Sequence, residues 1–270
     1  MKITDNNIIL YTYTKFNNIE SKHRIANNLQ TDIFQRSNSA SNSLSFKGIQ
    51  GLFKKAPNLV PQIEILPKVS DDFVSNTTKQ ISKFSQEWLK KFKTEGYKII
   101  LTPTFSDAYK SQGVLDPVVE YFEKTNPKGT LGVTYSEGKF GKNFFAFCDK
   151  PPYSNRYMPS IINHELSHGI VNISKVDKDQ KTLEIIKKDV ELIIKERKLD
   201  KLSPNERMMI SHYFFNKNAY LPVDELAADV YAWNKGGGVY GSGLVLDVNN
   251  PNLMTKLFPN LSKYLNTIKP

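Results

Sequence analysis

The segment His164-Glu165-Leu166-Ser167-His168 decides how the rest of the 270-residue chain is interpreted. In an α-helix, residues four positions apart lie about 40° apart on one face, so both imidazoles can point at a single ion. The glutamate between them lies one position round the helix, where it can contact a water on the ion without binding the ion. The spacing predicts a metal site with His164 and His168 as ligands and Glu165 as the general base.

The residues around this HExxH motif favour a helix. Pro159 suits a first helical turn, and apolar side chains recur roughly opposite the histidines at Ile162, Leu166 and Ile170. The chain has only four histidines, so a pattern of this kind would arise by chance about 0.006 times per chain. A chance pair of histidines on an ordinary helix is the competing interpretation.

A catalytic zinc site needs a third protein ligand and leaves its fourth position to water. The continuation with a third histidine fails, because Val171 and Ser174 stand where it requires glycine and histidine. Glu225 and Asp229 fit another arrangement, since they lie four residues apart on a predicted alanine-rich helix. Glu225 can complete the metal site, and Asp229 can accept the spare N–H of a ligand histidine. The competing interpretation is an ordinary exposed acidic pair.

Together the two segments resemble the gluzincin class of zinc metallopeptidases, and most closely its anthrax lethal-factor-like group, which includes the bacterial Pro-Pro endopeptidases. The resemblance spans roughly Thr77 to Ile268, and Ser167 and Asp229 stand where that group usually has glycine and glutamate. It implies a zincin-like α+β fold with a small, mostly antiparallel sheet and a helical C-terminal half. It also implies one zinc ion as cofactor and a peptide or protein as substrate.

The resemblance further implies a tyrosine, upstream of the third ligand, that hydrogen-bonds the oxyanion. Tyr220 lies five residues before Glu225 and is the candidate, with Tyr213 and Tyr240 as rivals. His212 is a further candidate, as an electrophilic helper. For each of these side chains an ordinary packing role is the alternative.

The proposed organisation has two parts. Residues 1–76 are predicted to be an Asn/Ser-rich N-terminal arm or linker, most evidently at residues 37–45, because such a composition buries little apolar surface. Residues 77–270 are predicted to be the zincin-like metallopeptidase domain. The order of its predicted elements, a helix, strands and then helices, is typical of an α+β domain.

Individual elements follow from periodicity and from breaker residues. Before Pro151 the sequence predicts an amphipathic helix through Ile81 and Phe92 that stops near Gly96, a strand at 97–103, a short helix at 116–124, and a hairpin of strands at 131–136 and 143–149. The second hairpin strand or its partner is expected to offer an edge to an extended peptide. Beyond Pro151 the chain is predicted to be mostly helical.

The net charge of +10 does not indicate a nucleic-acid partner. The excess is +3 in residues 1–76, +4 in 77–150 and +3 in 151–270, and only five of the 37 basic residues are arginine. A dedicated nucleic-acid-binding protein would concentrate this charge. We therefore expect a lysine-rich solvated surface and no nucleic acid among the partners.

A single cysteine, Cys148, excludes a disulfide framework and a cysteine-based zinc knuckle, and is expected to be a small buried hydrophobe. The sequence contains no run of apolar residues long enough to span a membrane. It also has no secretory signal, so we expect a cytoplasmic protein or one exported by a leaderless route.

The sequence thus predicts a zinc-dependent endopeptidase in which Glu165 takes a proton from a metal-activated water and delivers it to the leaving amine. The alternative is a catalytically inactive protein of zincin fold that acts as a peptide- or protein-binding module. The glutamate at position 165 favours the enzyme, because a metal site that serves only binding does not require a carboxylate there.

Overall fold

The structure is a computed structural model that describes residues 60–114, 119, 123, 131–137, 142–151, 153–209, 223–234 and 253–270. The chain divides into two compact units, one of which contains the described residues up to Ser174 together with Lys269–Pro270, while the other contains Lys175–Ile268. The first unit combines helices with a four-stranded sheet, and the described part of the second is helical. This mixture confirms the predicted α+β class. The sequence did not predict a division after Ser174.

The first unit is built on the sheet. Its elements in chain order are β1 (Gln62–Ile65), α1 (Asp71–Ile81), α2 (Gln86–Thr94), β2 (Tyr97–Thr102), α3 (Phe105–Ser111), β3 (Gly132–Glu137), β4 (Lys142–Cys148) and α4 (Tyr153–Ser174). The strand order is β1-β2-β4-β3. Strands β1 and β2 pair in parallel, as do β2 and β4, whereas β3 and β4 form an antiparallel hairpin.

The prediction of a mostly antiparallel sheet is therefore wrong, although the predicted hairpin is confirmed. Helices α1 and α2 separate β1 from β2, and α3 lies between β2 and β4 in the chain. The connection through α1 and α2 returns the chain to the same end of the sheet, so β1 and β2 run parallel. After β2 the chain runs back along β3, so β4 again has the direction of β2. The sequence pattern also gave no sign of β1, which has only four residues.

Regular secondary structure is present before residue 77, the predicted start of the metallopeptidase domain. Strand β1 and the first six residues of α1 lie within the segment that the sequence assigned to the arm. Ser70 begins α1, since its hydroxyl accepts the backbone N–H of Phe73. Residues 1–59, the remainder of the predicted arm, lie outside the described residues.

The predicted amphipathic helix through Ile81 and Phe92 consists of two helices. The chain leaves α1 after Ile81, and Ser85 caps α2 by accepting the N–H of Trp88. Because Ile81, Trp88 and Phe92 are all buried, the apolar repeat continues across the break and conceals it. Gly96, with a φ of 76°, ends the helical segment as predicted. Helix α3 was not predicted, and the helix expected at 116–124 falls almost wholly outside the described residues.

Helix α4 is longer than predicted and packs closely on the sheet. It begins at Tyr153, so Pro159 lies inside the helix and not in its first turn. The predicted apolar stripe of Ile162, Leu166 and Ile170 is fully buried. A Cβ atom at Gly169 would lie 2.5 Å from Cζ of Phe145 on β4 and 2.9 Å from Cε1 of Phe92 on α2. Only glycine therefore allows this approach without a shift of the aromatic rings.

The second unit is helical throughout its described part. It contains two 3-10 segments (Val176–Lys178 and Lys198–Lys201) and the helices α5 (Gln180–Lys195), α6 (Pro204–Met209), α7 (Val223–Asn234), α8 (Leu253–Leu257) and α9 (Pro259–Leu265). The buried carboxylate of Asp189 on α5 accepts the N–H groups of Asn260 and Leu261 at the start of α9. Ser203 and Glu206 form a reciprocal cap at the start of α6.

We expect Gly169→Ala to lower the free energy of unfolding by about 1 kcal/mol. Overpacking against Phe145 should cost about 1–3 kcal/mol, which exceeds a gain of about 1 kcal/mol in helix propensity. Urea denaturation measures the change. Phe145→Leu, combined with Gly169→Ala, removes the Cζ atom that the new methyl group would meet. The effects of the two substitutions on the free energy of unfolding should therefore be non-additive. A higher urea midpoint for Gly169→Ala would contradict the packing argument.

We expect the thiol of Cys148 to resist alkylation in the folded protein. The side chain is fully buried, and this burial raises the pKa of the Cys148 thiol well above its usual range, so the reactive thiolate is scarce. Iodoacetamide at about pH 8 should modify the cysteine only after denaturant is added, as intact mass measures. Stoichiometric modification without denaturant would show that β4 opens readily.

Candidate metal centre

Helix α4 places the three residues of the motif on a buried surface. His164, Glu165 and His168 are each less than one-tenth exposed. The imidazole Nε2 atoms of His164 and His168 lie 3.0 Å apart, and the two rings are nearly perpendicular. The predicted helix and the predicted convergence of the two imidazoles are confirmed.

The separation of the two nitrogens suits a shared metal ion. Two nitrogens that each lie 2.0–2.1 Å from one tetrahedral ion are about 3.3 Å apart, close to the observed 3.0 Å. Without an ion, one imidazole can donate its N–H to the other at this distance. The separation of the two nitrogens is therefore compatible with their binding one cation.

Helix α7 carries the predicted third ligand. Glu225 and Asp229 are both buried, at 6% and 0% exposure, so they are not the exposed acidic pair of the competing interpretation. His164, His168 and Glu225 each offer one ligand atom, and these three atoms lie within 4.8 Å of one another. These three side chains, called the His-His-Glu cluster below, could hold a metal ion. That Asp229 accepts an imidazole N–H stays a prediction.

Charge and burial also suit a cation. Glu165 is the only charged side chain among residues 158–174 apart from its histidines, and α7 contributes acids but no base. Burying a carboxylate is unfavourable unless hydrogen bonds or a cation compensate for the lost hydration. A divalent ion would supply such compensation at the His-His-Glu cluster, in addition to the contacts that the protein already makes.

Two residues of β3 contact Glu165 and were not predicted from the sequence. The hydroxyl of Thr134 lies 2.7 Å from Oε2 of Glu165 and 2.8 Å from its backbone oxygen. A Cβ atom at Gly132 would overlap Ile161 and would lie 2.8 Å from Cγ of Glu165. Gly132 therefore leaves the space that the Glu165 side chain uses, and Thr134 provides a hydrogen bond to it.

A weak signal of these two residues was present in the sequence. In the predicted strand at 131–136, alternation places Gly132 and Thr134 on the same face, and neither is a large apolar residue. The pattern could not show which element packs on that face, because this depends on contacts between segments about thirty residues apart.

The other candidates cannot be placed. Tyr220, Tyr213, Tyr240 and His212 lie outside the described residues, so the oxyanion-binding tyrosine stays a prediction. Cys148 is a buried residue at the end of β4, as expected, and takes no part in the cluster. No helix in the described part of the chain is both long and apolar enough to cross a membrane.

Comparison with known proteins adds no family assignment. The chain matches no protein-family model and no curated protein. The assignment of a function therefore depends on the residues and geometry of the His-His-Glu cluster and of Glu165.

We expect Glu225→Ala to weaken zinc binding strongly, because it removes a ligand. Loss of an outer contact of a metal site typically lowers the affinity roughly 10- to 100-fold, and the loss of Glu225 should lower it more. Competition with a chromophoric chelator measures the affinity. Asp224→Ala is the matched control, since it removes an acid from the same turn of α7 outside the cluster. Equal affinities for the two variants would exclude Glu225 as a ligand.

Proposed function

We propose that the protein is a zinc-dependent endopeptidase that hydrolyses peptide bonds with a metal-activated water. The observation that supports it most directly is the buried His-His-Glu cluster together with Glu165, which lies between the two histidines on α4. A cluster that only bound metal would not require this fourth side chain. The same residues support membership of the gluzincin class, with a zincin-like fold and similarity to the lethal-factor-like group.

The donor set favours zinc. Two imidazoles and one carboxylate, with a fourth position left for water, are the ligands of many catalytic zinc sites, whereas calcium and magnesium prefer oxygen ligands alone. The cluster supplies two nitrogens and one carboxylate oxygen. We therefore propose one zinc ion held by His164, His168 and Glu225.

In the proposed hydrolysis the zinc ligands, Glu165 and an oxyanion-binding side chain have different roles. Bound zinc would lower the pKa of a ligated water toward about 7 and polarise the scissile carbonyl. Glu165 accepts the proton of the attacking water and delivers it to the leaving amine. The oxyanion needs a hydrogen-bond donor, a role for which Tyr220 remains the candidate from the sequence.

The sheet offers a place for an extended substrate. Strand β4 lies between β2 and β3, so its own edge is not available, contrary to one of the two sequence expectations. Among the described strands its hairpin partner β3 is the last in the sheet order, and it carries the hydrogen bond to Glu165. We propose that a peptide pairs with the outer edge of β3, where backbone hydrogen bonds would align it beside the general base.

The decisive test is Glu165→Gln with the wild type on a peptide library. The variant should keep its zinc content but lose at least about 100-fold in kcat, since the amide cannot accept the proton. Glu184→Gln, which alters an exposed glutamate on α5, is the matched control and should cleave like the wild type.

Chelation should abolish cleavage, and added zinc should restore it. Full turnover by Glu165→Gln would refute the role of this residue. A wild type that binds zinc but cleaves no library member would favour the alternative, a binding module that keeps the fold and the metal without hydrolysis.

A further inference from the structure

We propose that Thr134 is a positioning residue that fixes the orientation of the Glu165 carboxylate, an inference that rests on the proposed endopeptidase function. Neither the motif nor the ligand set contains this residue. It lies on β3, outside the helix that carries the general base, and acts only through the side chain that it contacts.

The contact joins one donor to two acceptors. The Thr134 hydroxyl has a single hydrogen, and both Oε2 and the backbone oxygen of Glu165 lie within 2.8 Å of it. Hydrogen bonds to an ionised carboxylate are stronger than those to a neutral carbonyl. Because the contact is buried, water does not compete for the hydroxyl. The hydroxyl therefore holds one carboxylate oxygen, which defines the direction of the other.

The strand that carries Thr134 is itself firmly placed. In the hairpin Thr134 pairs with Phe145, the residue that packs against Gly169 of α4. Threonine is branched at Cβ, so its side chain has few conformations in a strand. The hydroxyl is consequently fixed relative to α4, as the support of a catalytic group must be.

Gly132 limits the positions of the carboxylate from the other side. It is two residues before Thr134 on the same face of β3, and the position of its absent Cβ lies 3.3 Å from Oε1 of Glu165. The Glu165 side chain therefore occupies a space bounded by the Gly132 backbone and the Thr134 hydroxyl. Removal of the hydroxyl should release the carboxylate without closing this space.

A purely structural role makes a different prediction. If the hydroxyl served only to bond the backbone oxygen of Glu165, its loss would lower stability and leave the chemical step unchanged. Misplacement of a catalytic group by about 1 Å can reduce the rate about 100-fold. The two roles are therefore separated by kcat and by the conformation of Glu165.

The test compares Thr134→Val with Thr134→Ser in the zinc-loaded protein. Thr134→Val should lower kcat by about 10- to 100-fold, with little change in KM or zinc affinity. Thr134→Ser keeps a hydroxyl at this position and should retain most of the wild-type kcat. Ser136→Ala is the matched control. It removes from the same face of β3 a hydroxyl that donates to Asn143 and accepts from Tyr97. If the valine variant does not fold, Thr134→Ala against Thr134→Ser makes the same comparison.

Crystal structures of the variants give a readout that does not depend on cleavage. The serine variant should keep Glu165 in one conformer with Oε2 on the hydroxyl, whereas the valine or alanine variant should show another or several conformers. An unchanged Glu165 conformer without the hydroxyl, or equal kcat for the hydroxyl-bearing and hydroxyl-free variants, would overturn the proposal. If the wild type cleaves nothing, the proposed function fails, and the structures still decide whether Thr134 orients Glu165.

Discussion

The close approach of α4 to the β3–β4 hairpin is the constraint on which the candidate site depends. Two glycines permit it: Gly169 on the helix faces Phe145, and Gly132 on β3 faces Glu165. A methyl group at either position would meet atoms that are already packed. Because the interior of a protein has few spaces into which side chains can shift, such contacts fix the helix against the strand. Glu165 and its partner Thr134 are brought together by this packing.

The site combines polar chemistry with an apolar setting. The histidines and Glu165 lie on a helix whose apolar residues are buried, and Glu225 lies on a helix of which residues 225–233 are all buried. In such surroundings electrostatic interactions are stronger than in water, both favourable and unfavourable. The same burial that makes the carboxylates costly would increase their attraction for a cation.

Local patterns were sufficient for the elements that depend on neighbouring residues. The four-residue spacing of His164 and His168 fixes their common face, and the alternation along β3 and β4 predicts their hairpin. The parallel partners of β2, by contrast, depend on contacts across intervening helices, which no local pattern records. Thr134 was missed for the same reason, since its strand pattern does not show that Glu165 packs above it. Glu225 was a candidate from the sequence because it lies four residues before Asp229 on a predicted alanine-rich helix.

The order of the strands also bears on how the sheet assembles. Only four residues of the chain separate β3 from β4, and α4 begins five residues after β4 ends, whereas two helices lie between β1 and β2. Closing a short loop loses less chain entropy than closing a long one. The contiguous segment from Gly132 to Ser174 contains both glycines of the close approach, Gly132 and Gly169, together with Thr134 and the HExxH motif. In this first unit the residues around Glu165 are near neighbours in the chain, and the parallel strands β1 and β2 complete the sheet.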